Sequence, residues 1–261
     1  MPQPLFSIIM ASFNAEKTIE RSIGCITRQL FRNFELLVID GGSTDCSPEI
    51  INRNKDCIAY WVSEPDNGIY DAWNKGLQEA KGEWILFIGT DDYLRPDALL
   101  HYNSFLQKQD LTGVLYVSSK VQIVSSEGVK KRVFGWPWQW RVFRFKPLVA
   151  HPGSLHHRSL FEKYGVYNTA YKIAGDYELL LRPKERLNAG FLDAITVDMT
   201  EGGVSNRVKT SVETRKAQLV NSVSTPILIN IEFLSQFVKI IGKQILGKLG
   251  VSLYLRREFR G

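Results

Sequence analysis

Three stretches of this chain are apolar at nearly every consecutive position: Leu5-Phe6-Ser7-Ile8-Ile9-Met10-Ala11, Glu35-Leu36-Leu37-Val38-Ile39-Asp40 and Glu83-Trp84-Ile85-Leu86-Phe87-Ile88-Gly89. A strand with one wet face alternates apolar and polar residues, so runs of this kind belong in the middle of a sheet covered on both faces. Helical spacing separates them. Ile19, Ile23, Ile26 and Leu30 recur at intervals of three and four after Asn14, a candidate N-cap. After Asp40, Gly41 and Gly42 permit a tight turn, and Ser43 or Asp45 can cap a second helix. A further strand, Ile58 to Ser63, leads through Glu64-Pro65-Asp66-Asn67-Gly68 into a helix over about 69–81, closed by Gly82. Strands that alternate with helices imply an α/β fold on a mostly parallel, right-handed, doubly wound sheet.

Such sheets bind ligands beyond the carboxyl ends of their strands. Three polar loops are therefore expected to converge: Ser12 to Asn14, Asp40 to Gly42, and Thr90 to Asp92. Asp91 and Asp92 are adjacent hard oxygen donors at a strand exit, suited to holding Mg²⁺ or Mn²⁺ against a diphosphate. The same residues also read as a capped helix start, with Pro96 at the first helical position.

The motifs Ser7 to Asn14, Val38-Ile39-Asp40-Gly41-Gly42-Ser43-Thr44-Asp45, Gly68-Ile69-Tyr70-Asp71-Ala72-Trp73-Asn74-Lys75-Gly76 and Gly89-Thr90-Asp91-Asp92, in this order, resemble family 2 glycosyltransferases of the glycosyltransferase A fold. The resemblance extends more loosely through Ala174 to Arg182 and Gly202-Gly203-Val204-Ser205, about the first 205 residues. It implies a loop of Ala11, Ser12, Phe13 and Asn14 against the base and ribose of a nucleotide-sugar donor. Asp40 would accept from a pyrimidine N–H, which favours a UDP-sugar. Asp91 would lie at the ribose, and Asp92 would bind the metal that bridges to the diphosphate. Gly68, Asp71 and Asn74 would add donor contacts. Asp176 would be the general base that deprotonates the acceptor hydroxyl, and a single displacement would invert the anomeric centre. Relatives often carry Glu-Asp at the base; here the pair is Gly175-Asp176. Gly203 and Ser205 would close over the diphosphate, and His151 would lie near the reacting groups. Each residue has a plainer reading. Asp176 suits a helix N-terminus, Asp40 a turn before Gly-Gly, and Asp71 with Asn74 a solvated helical face.

Two segments are basic. From 130 to 146, Lys and Arg alternate with Phe and with Trp136, Trp138 and Trp140. This pattern fits contact with a glycan or polyprenyl-pyrophosphate-linked acceptor, Trp140 included, or a β-hairpin with partly buried aromatics. From Arg207 to Gly261 there are ten basic and three acidic residues, net +7, against −1 for the rest of the chain. Ile227, Ile231, Leu234, Val238, Ile241, Ile245 and Leu249 recur there at helical spacing. Residues 224–261 thus read as a basic amphipathic helix, which either lies on an anionic membrane or packs on the rest of the protein.

These features divide the chain into a nucleotide-sugar half (1–118), an acceptor and base half (119–206) and a basic helical tail (207–261). Three cysteines without metal-ligand spacing suggest free buried thiols in a reducing compartment. No apolar run reaches the ~18 residues that span a bilayer, and no leader pattern precedes the first strand, so the expected place of action is the cytoplasm at the inner membrane face. Two other classes compete. A nucleotide-binding oxidoreductase would need a G-x-G-x-x-G loop after Met10, which is lacking. A nucleic-acid-binding module would use the basic aromatic stretch, but convergent carboxylates at the sheet loops would repel phosphate, so no nucleic-acid partner is expected.

Overall fold

The computed structural model describes residues 3–108, 111–201 and 207–248; side chains are described to Val238. In chain order the elements are β1 (Phe6–Ser12), α1 (Ile19–Thr27), β2 (Phe34–Asp40), α2 (Ser47–Arg53), β3 (Tyr60–Ser63), α3 (Ile69–Glu79), β4 (Trp84–Gly89), β5 (Tyr93–Leu94) and α4 (Ala98–Lys108). The second half adds β6 (Tyr116–Val124), β7 (Lys130–Phe134), α5 (Trp140–Phe143), β8 (Leu155–His157), α6 (Arg158–Tyr164), α7 (Gly175–Leu181), β9 (Ala189–Thr200), α8 (Arg207–Val220) and α9 (Pro226–Lys248).

The sheet runs β3-β2-β1-β4-β8-β6-β9-β5, with β7 paired to β6. Its first four strands are parallel, in register from Phe6 opposite Phe34 and Trp84. Beyond β4 the sheet is mixed. β8 runs antiparallel to both β4 and β6, whereas β6 and β9 are parallel.

Period-two geometry sorts the apolar runs onto two faces. Ile8, Met10, Leu36, Val38, Leu86 and Ile88 face α1, α2 and α4. Ile9, Leu37, Ile39, Ile85 and Phe87 face α3, α6 and α7 on the other side. Close packing explains Gly76 on α3, where an added Cβ would lie 2.5 Å from Cγ2 of Ile9.

Local expectations are corrected in several places. Asn14 does not cap α1, which begins at Ile19; it adopts a left-handed φ of 46° in the preceding loop. Leu30 lies past the end of α1 and is exposed. Asp91 and Asp92 do not open a helix, because a turn and β5 follow them and α4 starts only at Ala98. The three cysteines are free, but Cys46 and Cys57 are exposed rather than buried.

The boundary at 207 does not separate packing units. Ala217, Val223 and Ile229 are buried in the same cluster as Ile9 and Phe87, and α8 packs on α7 with α9 against it. The opposite side of α9 is bare, with Ile227, Ile231, Leu234 and Val238 between 58% and 72% exposed. The expected continuation through Ile241 and Ile245 is helical to Lys248, and Leu249 lies outside the described residues.

Candidate functional site

The loops after β1, β2 and β4 leave the same end of the parallel strands, and those after β1 and β2 are bonded to each other. Gly41 N donates to Ser12 O at 2.8 Å, Asn14 N donates to Ser43 Oγ at 2.7 Å, and Thr44 N donates to the Asn14 side-chain oxygen at 3.0 Å. Asn tolerates the left-handed backbone this requires. Phe13 is 64% exposed in this loop, which follows Ala11 and Ser12 at the end of β1. The Ser12 hydroxyl is buried without a partner.

Asp40 is fully buried. Its Oδ2 accepts from Ser43 N (2.8 Å) and Ser63 Oγ (2.6 Å), and Oδ1 accepts from Ser43 Oγ (2.6 Å). The turn role is therefore realised: the Asp40 carboxylate ties the loop after β2 to the end of β3. Asp66 lies directly over this turn. An added Cβ on Gly41 would stand 2.5 Å from Asp66 Oδ2, so a larger residue there would push that carboxylate aside. Asp66 Oδ1 in turn accepts from Gly68 N at 2.7 Å and fixes the entry to α3.

The expected donor contacts of α3 divide. Asp71 accepts from Asn67 N at 2.9 Å and steadies the first turn of its own helix. Asn74, part-buried, ties α3 to the backbone of Tyr167: its amide nitrogen donates to Tyr167 O at 2.8 Å, and its oxygen accepts from Tyr167 N at 3.0 Å.

Asp91 and Asp92 sit in the turn after β4, with Asp91 Oδ1 at 2.9 Å and Asp92 Oδ2 at 3.8 Å from where a Cβ on Gly89 would be. The turn is pinned from two sides. The Ser22 hydroxyl of α1 lies 2.8 Å from Thr90 O and 3.0 Å from Asp92 O. Thr200, at the end of β9, donates its N–H to Asp92 Oδ1 (3.2 Å) and its hydroxyl to Asp91 O (2.5 Å). Burial, and then the charge of Asp91, push the Asp92 carboxyl up to about 8. A carboxylate so placed calls for a positive partner. Among the described residues no three His, Cys, Asp or Glu side chains form a complete cage. Mg²⁺ is commonly held by one or two carboxylates completed by phosphate oxygens and water, so Asp92 fits a divalent ion.

Asp176 lies in the first turn of α7. Tyr70 of α3 places its hydroxyl 3.1 Å from Asp176 Oδ1 and 2.8 Å from Ile173 O. Burial raises the Asp176 carboxyl above its usual range, and hydrogen bonds from Tyr177 N–H and Tyr70 partly offset this. Beside it is a cavity of about 10 Å³, near the smallest that admits one water-sized group, lined by Tyr116, Phe143, His151, Asp176 and Tyr177 among others. His151 stacks on Trp73 (4.6 Å between ring centres) and its Nε2 is 2.8 Å from Tyr167 Oη, while Nδ1 has no partner. Burial lowers it to about 3, so it is neutral.

The basic aromatic stretch forms β7, the second strand of a hairpin with β6, and then α5. Trp140 is part-buried against the core and does not line this cavity; Phe143 of the same stretch, and Pro147 just beyond it, do. Gly203 and Ser205 lie outside the described residues. Sequence reading missed Ser63, Asp66, Tyr70, Thr200 and Glu213. Tyr70 and Asp66 lay within motifs already noticed, whereas Thr200 and Glu213 had no local signal.

The family model described as "Glycosyl transferase family 2" matches residues 7–164, more than half of the chain. A PGL/p-HBAD biosynthesis glycosyltransferase of Mycobacterium bovis is 29% identical over 217 residues, which span 80% of this chain and 82% of that protein. Among solved structures, S. aureus TarS 1-349 in complex with UDP-GlcNAc has a TM-score of 0.70 at 19% identity, covering 95% of this chain and 76% of that one. Glucosyl-3-phosphoglycerate synthase from Mycobacterium tuberculosis, in complex with Mn²⁺, UDP-glucose and phosphoglyceric acid, has a TM-score of 0.60 at 18% identity, covering 84% and 80%. With the parallel β1–β4 core and the loop architecture above, the chain is a member of glycosyl transferase family 2 and has the glycosyltransferase A fold.

Proposed function

We propose that this glycosyltransferase is an inverting enzyme that moves a sugar from a nucleotide diphosphate donor, a UDP-sugar foremost, to a hydroxyl of a glycan or polyprenyl-pyrophosphate-linked acceptor. One observation carries the reading. The entry to α3 and its first turn face two groups at once: Asp66, whose Oδ1 accepts from Gly68 N, lies against Gly41 of the Asp40 turn, and Tyr70, one residue past the helix start, reaches Asp176. A nucleoside held at the Asp40 turn and an acceptor hydroxyl at Asp176 are thereby addressed by one rigid element.

Phe13, exposed in the loop after β1, stacks on the base, and the Asp40 carboxylate is the acceptor assigned to a pyrimidine N–H. Asp91 takes the ribose and Asp92 the divalent ion. When bound there, Mn²⁺ or Mg²⁺ supplies Lewis-acid stabilisation to the departing nucleoside diphosphate. The segment with Gly203 and Ser205 follows Thr200, which is bonded to the Asp91-Asp92 turn, and this supports a role in covering the diphosphate. Asp176 Oδ takes the acceptor proton as the hydroxyl oxygen attacks the anomeric carbon from the face opposite the leaving group. Its raised affinity for a proton suits a base working near neutral pH. Neutral His151 presents an unpaired ring nitrogen beside the same cavity and orients that hydroxyl.

The bare side of α9 and the +7 charge of residues 207–261 support docking on an anionic membrane at the cytoplasmic face, where a lipid-linked acceptor of cell-surface polysaccharide assembly would be presented. Among the described residues no helix is long and apolar enough to cross a membrane.

Titration calorimetry with UDP, GDP, TDP and CDP, each with Mn²⁺ and with chelator, tests the donor assignment. Metal-dependent binding of UDP above the others is expected; equal binding of all four with chelator present would overturn the metal and base-recognition roles together.

A further inference from the structure

The base proposed above has no acidic neighbour, because position 175 is glycine, and the structure shows what occupies that space. An added Cβ on Gly175 would stand 2.8 to 2.9 Å from three ring atoms of Tyr70, Cε2, Cδ2 and Cζ. No other residue fits without displacing the ring. The ring is held elsewhere too, stacked on Tyr167 at 5.4 Å and edge-on to Trp73 at 5.4 Å, and it is 4% exposed. Its hydroxyl carries one proton and faces two acceptors, Ile173 O and Asp176 Oδ1.

Resting on the assignment of Asp176 as the base, we propose that Tyr70 is the positioning residue for Asp176, and that Gly175 is glycine so that the Tyr70 ring can lie against the base. While Asp176 is ionised, the Tyr70 proton points to Oδ1, fixes the carboxylate rotamer and leaves Oδ2 for the acceptor hydroxyl. Once Asp176 has taken the acceptor proton, its demand for a donor falls and the Tyr70 proton turns to the Ile173 carbonyl, 2.8 Å away. The hydroxyl is partnered before and after transfer, so neither state leaves a buried donor unpaired. A base that lacks an adjacent carboxylate is oriented instead from α3, the element that also adjoins the nucleoside turn.

The test is a pH–rate profile. The titratable groups facing Asp176 are Tyr70 of α3, Tyr116 of β6, His151 and Tyr167 of the loops flanking α6, Tyr177 of α7 and Glu213 of α8. In Tyr70→Phe the ring packing is kept and only the donor to the carboxylate is lost. The acid limb of kcat is expected to move up by about one pH unit, with kcat at neutral pH reduced roughly tenfold and donor KM unchanged. Gly175→Ala, which displaces the ring while keeping the hydroxyl, is expected to shift the same limb in the same direction. Asp176→Asn separates the two claims. If it abolishes transfer while Tyr70→Phe leaves both the acid limb and kcat unmoved, the positioning role is overturned and the base stands. If Asp176→Asn retains full transfer, the base assignment fails first.

Discussion

Glu213 of α8 accepts from Ala174 N–H at 2.9 Å, two residues before the proposed base, and the same carboxylate also accepts from Ile173 N (2.9 Å) and Lys172 N (3.1 Å). A helix that sequence assigns to a separate tail thus holds the backbone that leads into α7. Gln218 of the same helix donates to Tyr177 Oη at 3.1 Å. Glu213→Ala would leave three successive N–H groups without their partner, a loss on the order of 2 kcal/mol in stability. It should also lower kcat roughly tenfold by loosening Asp176. Glu213→Gln, which keeps an acceptor oxygen, should recover most of both. Thermal unfolding and steady-state rates of the two variants check this; equal loss in both would point to charge rather than hydrogen bonding.

Asp92→Asn should fold normally, because Thr200 N–H can still donate to a side-chain oxygen at Oδ1. Its metal-dependent affinity for UDP should fall by about two orders of magnitude, the scale of a lost charged metal contact. Adding Mn²⁺ with UDP should raise the wild-type melting temperature and leave the variant's nearly unchanged. An equal rise in both would remove Asp92 from the metal.

His151 and His156 are buried and neutral, lowered to about 3 and well below the ordinary value respectively, chiefly by burial. A depressed histidine means that the unfolded chain takes up a proton that the folded chain refuses. Stability contributed by these two residues is therefore full above the unfolded value near 6.5 and declines as pH falls from there toward about 3. Urea midpoints should drop between about pH 7 and pH 5, and His156→Phe, which suits the surrounding rings of Phe87, Tyr116 and Phe161, should flatten that slope. A slope unchanged by His156→Phe would assign the acid loss to other groups.

Ile231 and Leu234 are each 58% exposed on α9, so Ile231→Glu and Leu234→Glu should leave the melting temperature unaltered. Flotation of the full chain with vesicles rich in anionic lipid should fall about tenfold or more for each, since an apolar side chain of this size contributes ~1.5–3 kcal/mol on burial. Unchanged flotation would turn the bare face of α9 toward a protein partner.

Local periodicity determined a good part of this molecule. The unbroken apolar runs ending at Ala11, Asp40 and Gly89 specify central strands, because only a sheet covered on both faces has room for side chains such as Ile8 and Ile9 at once. Right-handed crossovers then bring Asp40 and Asp92 to one edge. What the sequence left open was decided by contacts between residues far apart in the chain. Whether Asn74 meets a ligand or the fold depended on the Tyr167 backbone, 93 residues on. Whether Asp92 faces a turn or a helix depended on Thr200, 108 residues on. Glycine at 175 is explained only by the Tyr70 ring that fills its place, and Glu213 is a helix-surface acid until folding sets it under three N–H groups. Patterns of three, four and two residues record which face of an element is apolar; the hydrogen bonds that position reacting groups join elements whose separation in sequence leaves no period to read.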